Sequence, residues 1–173
     1  MSIESTRYSD LKGPRIFLSK SEPRDLSWIM KLESENNRFV TEYARERHMD
    51  ILADDNYMHL SARQHDSEKL VGMALLYGLK DKNKVLEFRR LAVAEKGAGY
   101  GREVIRIIKA FCFETLKFHR LWLDVFDDNL RAIGLYESEG FKMEGLLRET
   151  TFSDGNYRSL RIYSILENEF NHI

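Results

Sequence analysis

A glycine-rich turn is the part of this sequence that most directly predicts chemistry. The turn, Lys96-Gly97-Ala98-Gly99-Tyr100-Gly101, follows an apolar segment at Val85–Val93 and precedes a long amphipathic segment. If these segments are a strand and a helix, several free backbone N–H groups point to one spot, where the helix dipole adds partial positive charge. Glycines let the backbone approach an anion without a Cβ in the way. The turn therefore predicts a phosphate site.

Three kinds of phosphate-binding turn can be compared with this one. A P-loop requires a lysine and a hydroxyl residue after its last glycine, and neither follows Gly101. A dinucleotide-binding turn requires glycine or alanine at the last position of G-x-G-x-x-G/A, where this chain has Arg102 or Val104. The acyl-CoA pyrophosphate pattern Q/R-x-x-G-x-G/A fits, with Lys96 in its first position. A helix start whose glycines serve only a tight turn is the alternative.

Two polar residues downstream have helical spacing. Asn129 and Tyr136 are seven residues apart, which places them on one face of a helix, about 10.5 Å apart along its axis. That spacing suits two contacts along an extended ligand arm. Asn129 is also suited to be the N-cap of this helix, and Tyr136 could be a packing side chain with its hydroxyl at the surface.

The elements that would position these residues are predicted from hydrophobic periodicity and turn residues. Strands are expected at 15–19, 57–63, 70–79, 85–93, 121–126, 141–152 and 157–166. Helices are expected at 25–35, 39–49 and 129–139, with an amphipathic helix through 104–116.

The order of these elements predicts the fold class. A helix separates strand 85–93 from strand 121–126, so these two should be parallel through a crossover connection. The apolar run at 121–126 is typical of a strand buried on both faces. We expect an α/β (α+β) fold: a mixed, mostly antiparallel seven-stranded sheet flanked by helices on both faces, with a central parallel strand pair.

Composition excludes several function classes. The chain has 173 residues, 43% of them hydrophobic, and 27 basic and 28 acidic side chains give a net charge of −1. This balance provides no global attraction to nucleic acid or to an anionic membrane, so neither is an expected partner; a local basic patch that binds one of them is the alternative. The five histidines have no pair at metal-ligand spacing, so no metal site is expected. The single Cys112 cannot form an intramolecular disulfide, which favours the reducing cytoplasm. The same location is expected from residues 1–20, which lack a signal-peptide pattern, and from the apolar runs, none of which is long enough to span a membrane.

Residues 84–166 resemble the GNAT superfamily of N-acetyltransferases, and most closely its ribosomal-protein N-terminal and spermidine acetyltransferase branches. Three blocks carry the resemblance in the right order. They are Glu87-Phe88-Arg89-Arg90-Leu91-Ala92-Val93, the glycine turn, and Asn129-Leu130-Arg131-Ala132-Ile133-Gly134-Leu135-Tyr136 followed by Glu139-Gly140-Phe141. The last block matches the family signature N-x-x-A-x-x-L-Y…G-F. The resemblance implies a GNAT-like acyl-CoA acyltransferase fold in one domain, 1–173, in which 84–166 bind acetyl-CoA and 15–80 shape the acceptor site.

The resemblance also implies roles for individual residues. A β-bulge near the end of strand 85–93 would splay it from its parallel neighbour and free backbone groups to bind pantetheine, and one amide there would polarise the thioester carbonyl. Tyr136 would protonate the departing CoA thiolate. The residues implied in binding the co-substrate acetyl-CoA are Leu91, Ala92, Val93, Lys96, Gly97, Ala98, Gly99, Tyr100, Gly101, Arg102, Asn129 and Ala132. For Arg102, a solvated helix arginine is the alternative.

Glu87 is the general base that the resemblance implies, acting directly or through water. It precedes Val93 by six residues, so a regular strand would place it on the same face as Leu91 and Val93. A carboxylate is a poor base unless burial raises its pKa. An ion pair with a following arginine is the other role open to Glu87.

The acceptor is expected to be a small-molecule amine or a peptide N terminus that attacks acetyl-CoA directly in a ternary complex. Glu33, Glu35 and Glu42 could form an acidic groove for it, or simply a solvated face. Residues 155–158 resemble a region that borders the acceptor site or a dimer contact in relatives, although Ser159 departs from the pattern, so a homodimer is among the expectations. A CoA-binding module without catalysis, and an interaction protein that keeps only the fold, are the competing hypotheses.

Overall fold

The computed structural model describes residues 11–170, which form one seven-stranded sheet with helices on both of its faces. Residues 1–10 and 171–173 of the predicted domain lie outside the described residues; they include His172 and half of the segment 1–20 that was considered for a signal peptide. Strands β1 to β7 are Ile16–Lys20, Tyr57–Gln64, Leu70–Tyr77, Val85–Val93, Arg120–Phe126, Lys142–Ser153 and Asn156–Leu166. Helices α1 to α4 are Leu26–Glu35, Arg45–Ala53, Tyr100–Ala110 and Leu130–Ser138, with a π-helical turn at Phe111–Thr115 and a 3-10 turn at Glu167–Glu169.

The strand order is β1-β2-β3-β4-β5-β7-β6. All neighbours are antiparallel except β4 and β5, which α3 connects. A parallel pair needs such a crossover because the chain must return to the same end of the sheet. The predicted fold class, with its central parallel pair, is confirmed.

The alternation of side chains along β3 builds a core on each face of the sheet. Ala74 and Leu76 enter the core that α3 and α4 cover, and Met73 and Leu75 enter the core beneath α1 and α2. Successive side chains of a strand point to opposite faces, so a strand that is apolar throughout must be covered on both. Within residues 11–170, no helix is long and apolar enough to cross a membrane.

The helix predicted at 39–49 is wrong in its first half, because α2 begins only at Arg45. The amide of Val40 donates to the Asn36 carbonyl, and the amide of Tyr43 donates to the Glu33 carboxylate. These contacts draw residues 36–44 across the end of α1 as an irregular segment, the α1–α2 segment. Charge periodicity along the sequence carries no information about such contacts.

The apolar run of β5 predicted a strand buried on both faces, and this prediction is wrong. Leu121, Leu123 and Val125 are buried, whereas Asp124 on the opposite face is exposed. Helices α1 and α2 pack mainly on β2, β3 and β4. The face of β5 that carries Asp124 is therefore left accessible.

Candidate active site

A cleft opens where the two parallel strands separate. Strand β4 pairs with β5 only from Val85 to Glu87. Beyond that point the strands diverge and enclose a cavity of about 490 Å³, the cleft. Its lining comes from the second halves of β4 and β5, the glycine turn, α4, β6, β7 and the α1–α2 segment. Of the site residues predicted from the sequence, the cleft is lined by Leu91, Ala92, Val93, Lys96, Gly101, Asn129, Ala132 and Tyr136.

A β-bulge in β4 accompanies this separation. Phe88 pairs with Leu76 and Arg90 pairs with Leu75, so Arg89 has no partner in β3. One extra residue moves all later side chains to the other face of the sheet. In a regular strand Leu91 and Phe88, three positions apart, would point to opposite faces. Because of the bulge, both pack on the same core. The expected bulge is present, and it lies just before Leu91.

Glu87 does not share a strand face with Leu91 and Val93, because the bulge reverses the alternation between them. The Arg89 guanidinium donates two hydrogen bonds to the Glu87 carboxylate, at 2.9 and 2.8 Å, and one to the Tyr57 hydroxyl at 2.8 Å. The structure therefore shows the ion pair that was the alternative role of Glu87. Glu87 is not among the residues that line the cleft, and its role as a base stays a prediction.

The glycine turn has the geometry of an anion site. Gly97 and Gly99 have φ angles of 89° and 85°, in the left-handed region that side chains with a Cβ rarely adopt. Gly99 directly precedes α3, whose first intrahelical bond runs from the Glu103 amide to the Gly99 carbonyl. The amides of the first helical residues, 100–102, therefore have no intrahelical partner. They lie at the end of the cleft that Lys96 and Gly101 line.

Two arginines that the sequence analysis did not single out stand beside the turn. Arg131 lines the cleft and its Nη2 lies 4.0 Å from the position of a Cβ on Gly97. Arg15 donates from Nη1 to the Ala98 carbonyl at 2.9 Å and from Nε to the Glu103 carboxylate at 2.8 Å. Arg131 lies in the recognised Asn129–Tyr136 block, whereas nothing near Arg15 in the sequence indicates its place. With Lys96, they add positive charge where a pyrophosphate would bind.

Arg102 is directed away from the cleft and towards α4. Together with Arg106 and Lys109 it hydrogen-bonds to Glu139, whose side chain is 1% exposed. Burial opposes ionisation of Glu139, but these three cations outweigh it and hold its pKa below the usual value. The cluster fixes the start of α3 against the end of α4. Arg102 thus supports the glycine turn and is not itself part of the cleft lining.

Helix α4 places Asn129 and Tyr136 on the cleft. Asn129 accepts a hydrogen bond from the Ala132 amide at 3.3 Å, so it is the N-cap and also lines the cleft. Tyr136 is 9% exposed and packs edge-on against Phe141. Burial, and after it the negative charge of Asp124, raise the pKa of the Tyr136 hydroxyl. The phenol therefore keeps its proton at neutral pH.

Arg158 of β7 ties the α1–α2 segment to the rest of the cleft. Its guanidinium donates to the Arg38 carbonyl at 2.6 Å and to the Asp128 carboxylate at 2.7 Å, and it stacks 3.6 Å from the centre of the Phe126 ring. One planar group therefore connects the α1–α2 segment, whose Phe39 lines the cleft, to the end of β5 and the start of α4. Arg158 belongs to residues 155–158, which were predicted to border the acceptor site or a dimer contact.

The acidic groove predicted from Glu33, Glu35 and Glu42 is not formed. Glu33 is fully buried, while Glu35 pairs with Lys31 at the surface and Glu42 is exposed. The last two therefore belong to the solvated face that was the alternative. Glu33 instead begins a chain of buried hydrogen bonds.

We call this chain the buried polar chain; it runs from Arg90 through Glu33, His48 and His59 to Ser21. Arg90, which lines the cleft, pairs with the Glu33 carboxylate. The other oxygen of Glu33 lies 3.2 Å from His48 Nε2, and His48 Nδ1 lies 3.0 Å from His59 Nε2. His59 Nδ1 continues to Ser21 Oγ at 2.9 Å. The chain joins α1, α2, β2 and β4 beneath the cleft.

His59 should make the fold sensitive to acid. Burial, and next the proximity of His48, lower the pKa of His59 to about 4, whereas an unfolded histidine titrates near 6.5. The unfolded chain therefore binds this proton first, and the free energy of unfolding should fall as pH decreases from about 6.5 towards 4. Asp25, Glu33 and Glu139, whose pKa values lie below the usual, should add to the loss only at lower pH.

Urea unfolding at a series of pH values measures this effect. A His119→Gln variant is the control, because His119 is 63% exposed, and it should keep the pH dependence of the wild type. Equal free energies of unfolding at pH 7 and pH 5 would contradict the prediction.

Known proteins place this architecture among acetyltransferases. The sequence profile of the acetyltransferase (GNAT) family matches residues 22–141. The chain is 28% identical to the spermidine N(1)-acetyltransferase of Vibrio cholerae serotype O1 over 167 residues, which cover 90% of this chain and 95% of that protein. It is 25% identical to the spermidine N(1)-acetyltransferase of Escherichia coli K12, covering 86% of this chain and 84% of that protein.

A solved structure shows the same fold. The spermidine N-acetyltransferase of Vibrio cholerae in complex with CoA and spermine superposes with a TM-score of 0.82 at 24% identity, covering 91% of this chain and 98% of that chain.

Proposed function

The chain belongs to the acetyltransferase (GNAT) family, and from that premise we propose that it transfers the acetyl group of acetyl-CoA to the primary amine of a small molecule. The cleft between the separating strands β4 and β5 is the observation that carries the proposal. It joins an anion site at the glycine turn to an accessible region beside Tyr136, as a reaction between a phosphorylated donor and an amine requires.

The residues present fit acetyl-CoA as co-substrate. The amides at the start of α3, with Lys96 and Arg131, would hold the pyrophosphate. Backbone groups of Leu91, Ala92 and Val93, freed where β4 leaves β5, would bind the pantetheine arm, and Asn129 would contact it from α4. Arg15, tied to the turn through Ala98, is a further cation within reach.

Acetyl transfer from a thioester to an amine requires few protein groups. A neutral amine attacks the thioester carbon, the C–N bond forms and the C–S bond breaks. A backbone amide of β4 would polarise the carbonyl oxygen. Tyr136, whose raised pKa keeps it protonated, would give its proton to the departing sulfur.

A polyamine is the first acceptor to test. Relatives that align with most of this chain carry the name spermidine N(1)-acetyltransferase. The α1–α2 segment, bound by Arg158, forms one wall of the cleft, and a cleft walled in this way favours a slender acceptor over a folded protein surface. Peptides with a free N terminus belong in the same panel as the competing acceptor class.

The experiment combines thiol release from acetyl-CoA across an amine panel with thermal stabilisation by CoA. The proposal predicts both turnover and stabilisation. Stabilisation without turnover for any amine would establish a CoA-binding module without catalysis. A melting temperature unchanged by saturating CoA and acetyl-CoA would leave only the fold and would refute the proposal.

The homodimer stays a prediction. Exposed large apolar side chains on the edge strand β6 and at the β6–β7 turn support it. Leu146 and Leu147 are 44% and 46% exposed, and Phe152 and Tyr157 are 64% and 66% exposed. A second copy that covered these side chains would remove apolar surface from water.

A further inference from the structure

We propose that Arg158 is a positioning residue that couples the co-substrate half of the cleft to its acceptor half. The inference rests on the proposed function, and neither the family resemblance nor the relatives' names give Arg158 a role. Arg158 is not among the residues that line the cleft. It acts through residues that do line it, Asn129 in the co-substrate half and Phe39 in the acceptor half.

In the co-substrate half, Arg158 holds the turn between β5 and α4. Its guanidinium stacks 3.6 Å from the centre of the Phe126 ring and donates to the Asp128 carboxylate at 2.7 Å. The Asn129 amide donates to the Phe126 carbonyl at 2.9 Å, which closes the turn. Asn129 in turn caps α4 by accepting from the Ala132 amide. Arg158 therefore fixes the position from which Asn129 would contact the pantetheine arm.

In the acceptor half, Arg158 holds the α1–α2 segment near Phe39. None of the side chains of this segment is fully buried, so its position depends on a few individual contacts. The Tyr43 end is fastened to Glu33 through the Tyr43 amide. The Phe39 end is fastened by Arg158, which donates to the Arg38 carbonyl at 2.6 Å and lies 5.5 Å from the centre of the Phe39 ring.

The Asp128 carboxylate closes the link between the two halves. One of its oxygens accepts from Arg158, and the other accepts from Arg38 at 3.3 Å. Desolvation opposes ionisation of Asp128, but these two hydrogen bonds outweigh it and hold its pKa below the usual value. The carboxylate is therefore charged at neutral pH. Without it, the two guanidinium groups would repel each other, and the Phe39 end would be less firmly held.

The link predicts that the two substrates help each other to bind. A ligand that contacts Asn129 restricts the β5–α4 turn, and through Arg158 it also restricts the segment that carries Phe39. The second ligand then has less ordering to impose, so it binds more tightly. Coupling of this kind is reciprocal, because each ligand changes the affinity of the other by the same factor.

Equilibrium titration of CoA measures the coupling. CoA carries no acetyl group, so CoA and the amine form a ternary complex that cannot react. The amine used is the one that the wild-type protein acetylates fastest. For the wild-type protein, we expect saturating amine to lower the Kd of CoA by about 5-fold or more. In Arg158→Met, which keeps an unbranched side chain but loses the guanidinium contacts, the change should be less than about 2-fold.

Steady-state kinetics separate this role from a purely structural one. Arg158→Met should raise the KM for the amine by a larger factor than it lowers kcat, because Tyr136 and the amides of β4 are unchanged. Arg148→Met on β6 is the matched control, because Arg148 is exposed and outside the cleft lining. This control should keep the coupling and the kinetic constants of the wild-type protein.

Asp128→Ala breaks the same link from its other end. The Asp128 side chain is 43% exposed, and the Asp127 amide still bonds to the Ser159 carbonyl at 3.1 Å, so the turn should keep its fold. If Arg158→Met does not fold, Asp128→Ala carries the test. The double variant should lose no more coupling than either single variant, because both substitutions remove one interaction.

The outcomes that would overturn the inference differ from those that would refute the proposed function. Turnover by the wild-type protein without coupling would overturn the inference alone, and so would coupling that survives unchanged in Arg158→Met. Losses that add up in the double variant would also overturn it, because Arg158 and Asp128 would then act separately. A wild-type protein that binds no CoA, or that acetylates no amine, would refute the proposed function and the inference with it.

Discussion

The Tyr136→Phe variant is expected to bind CoA as tightly as the wild-type protein and to turn over the acceptor about 100- to 10,000-fold more slowly. The substitution removes only the hydroxyl from a side chain that is 9% exposed and packs against Phe141. The packing surface is kept, so the fold and the cleft should remain. What is lost is the proton that burial and the charge of Asp124 hold on the phenol. Steady-state thiol release and titration with CoA measure the two quantities.

Tyr163→Phe is the matched control for this prediction. Tyr163 is fully buried, donates its hydroxyl hydrogen to Glu137 at 2.7 Å and does not line the cleft. Its variant loses one hydrogen bond but should retain wild-type turnover. Unchanged turnover in Tyr136→Phe would remove Tyr136 as the proton donor, because no other change accompanies the loss of its hydroxyl.

Replacing Glu33 with glutamine is expected to lower the free energy of unfolding by about 3–5 kcal/mol. Glu33 is fully buried and is the only carboxylate in contact with the Arg90 guanidinium among the described residues, and the Arg90 side chain is 7% exposed. Burial opposes ionisation of Glu33, yet hydrogen bonds from His48 and the Tyr43 amide, with the charge of Arg90, hold its pKa below the usual value. The amide would leave a buried cation without its counter-charge. Chemical denaturation at pH 7 measures the change.

Glu35→Gln is the control on the same helix. Glu35 is 58% exposed and lies 3.8 Å from Lys31, and such exposed pairs contribute less than about 1 kcal/mol. If both variants lose the same small amount, Glu33 does not act as the buried counter-charge of Arg90. A loss confined to Glu33→Gln would show that α1 is fastened to β4 through this pair.

Most secondary structure could be predicted from the sequence because periodicity records local burial. The alternation in β3 and the 3.6-residue period in α3 each report which side of an element meets the core. The helix predicted at 39–49 begins too early because its true start depends on tertiary contacts and not on local periodicity. The start of α2 depends on the Tyr43 amide bonding to Glu33 and on the burial of His48 and Ile51, and these contacts are not written in the charges of the segment itself.

The sequence by itself determined the anion site. Glycines at positive φ, a strand before them and a helix after them are local features, and the blocks at Glu87–Val93 and Asn129–Tyr136 identify the family from their order alone. Local geometry suffices here because unpaired amides at a helix start exist whatever packs around them. The base role of Glu87, in contrast, came from the family resemblance, and its expected place on one face with Leu91 and Val93 came from an assumed regular strand.

Only the tertiary structure decided which carboxylates are free to react. One extra residue at Arg89 turns the side chains that follow it to the other face, and Arg89 itself pairs with Glu87. Glu33 is taken by Arg90, and Asp124, in a run that reads as a buried strand, stands unpaired in the cleft. The reason is physical: the reactivity of a charge depends on its partners and on solvent, and residues distant in the chain supply both.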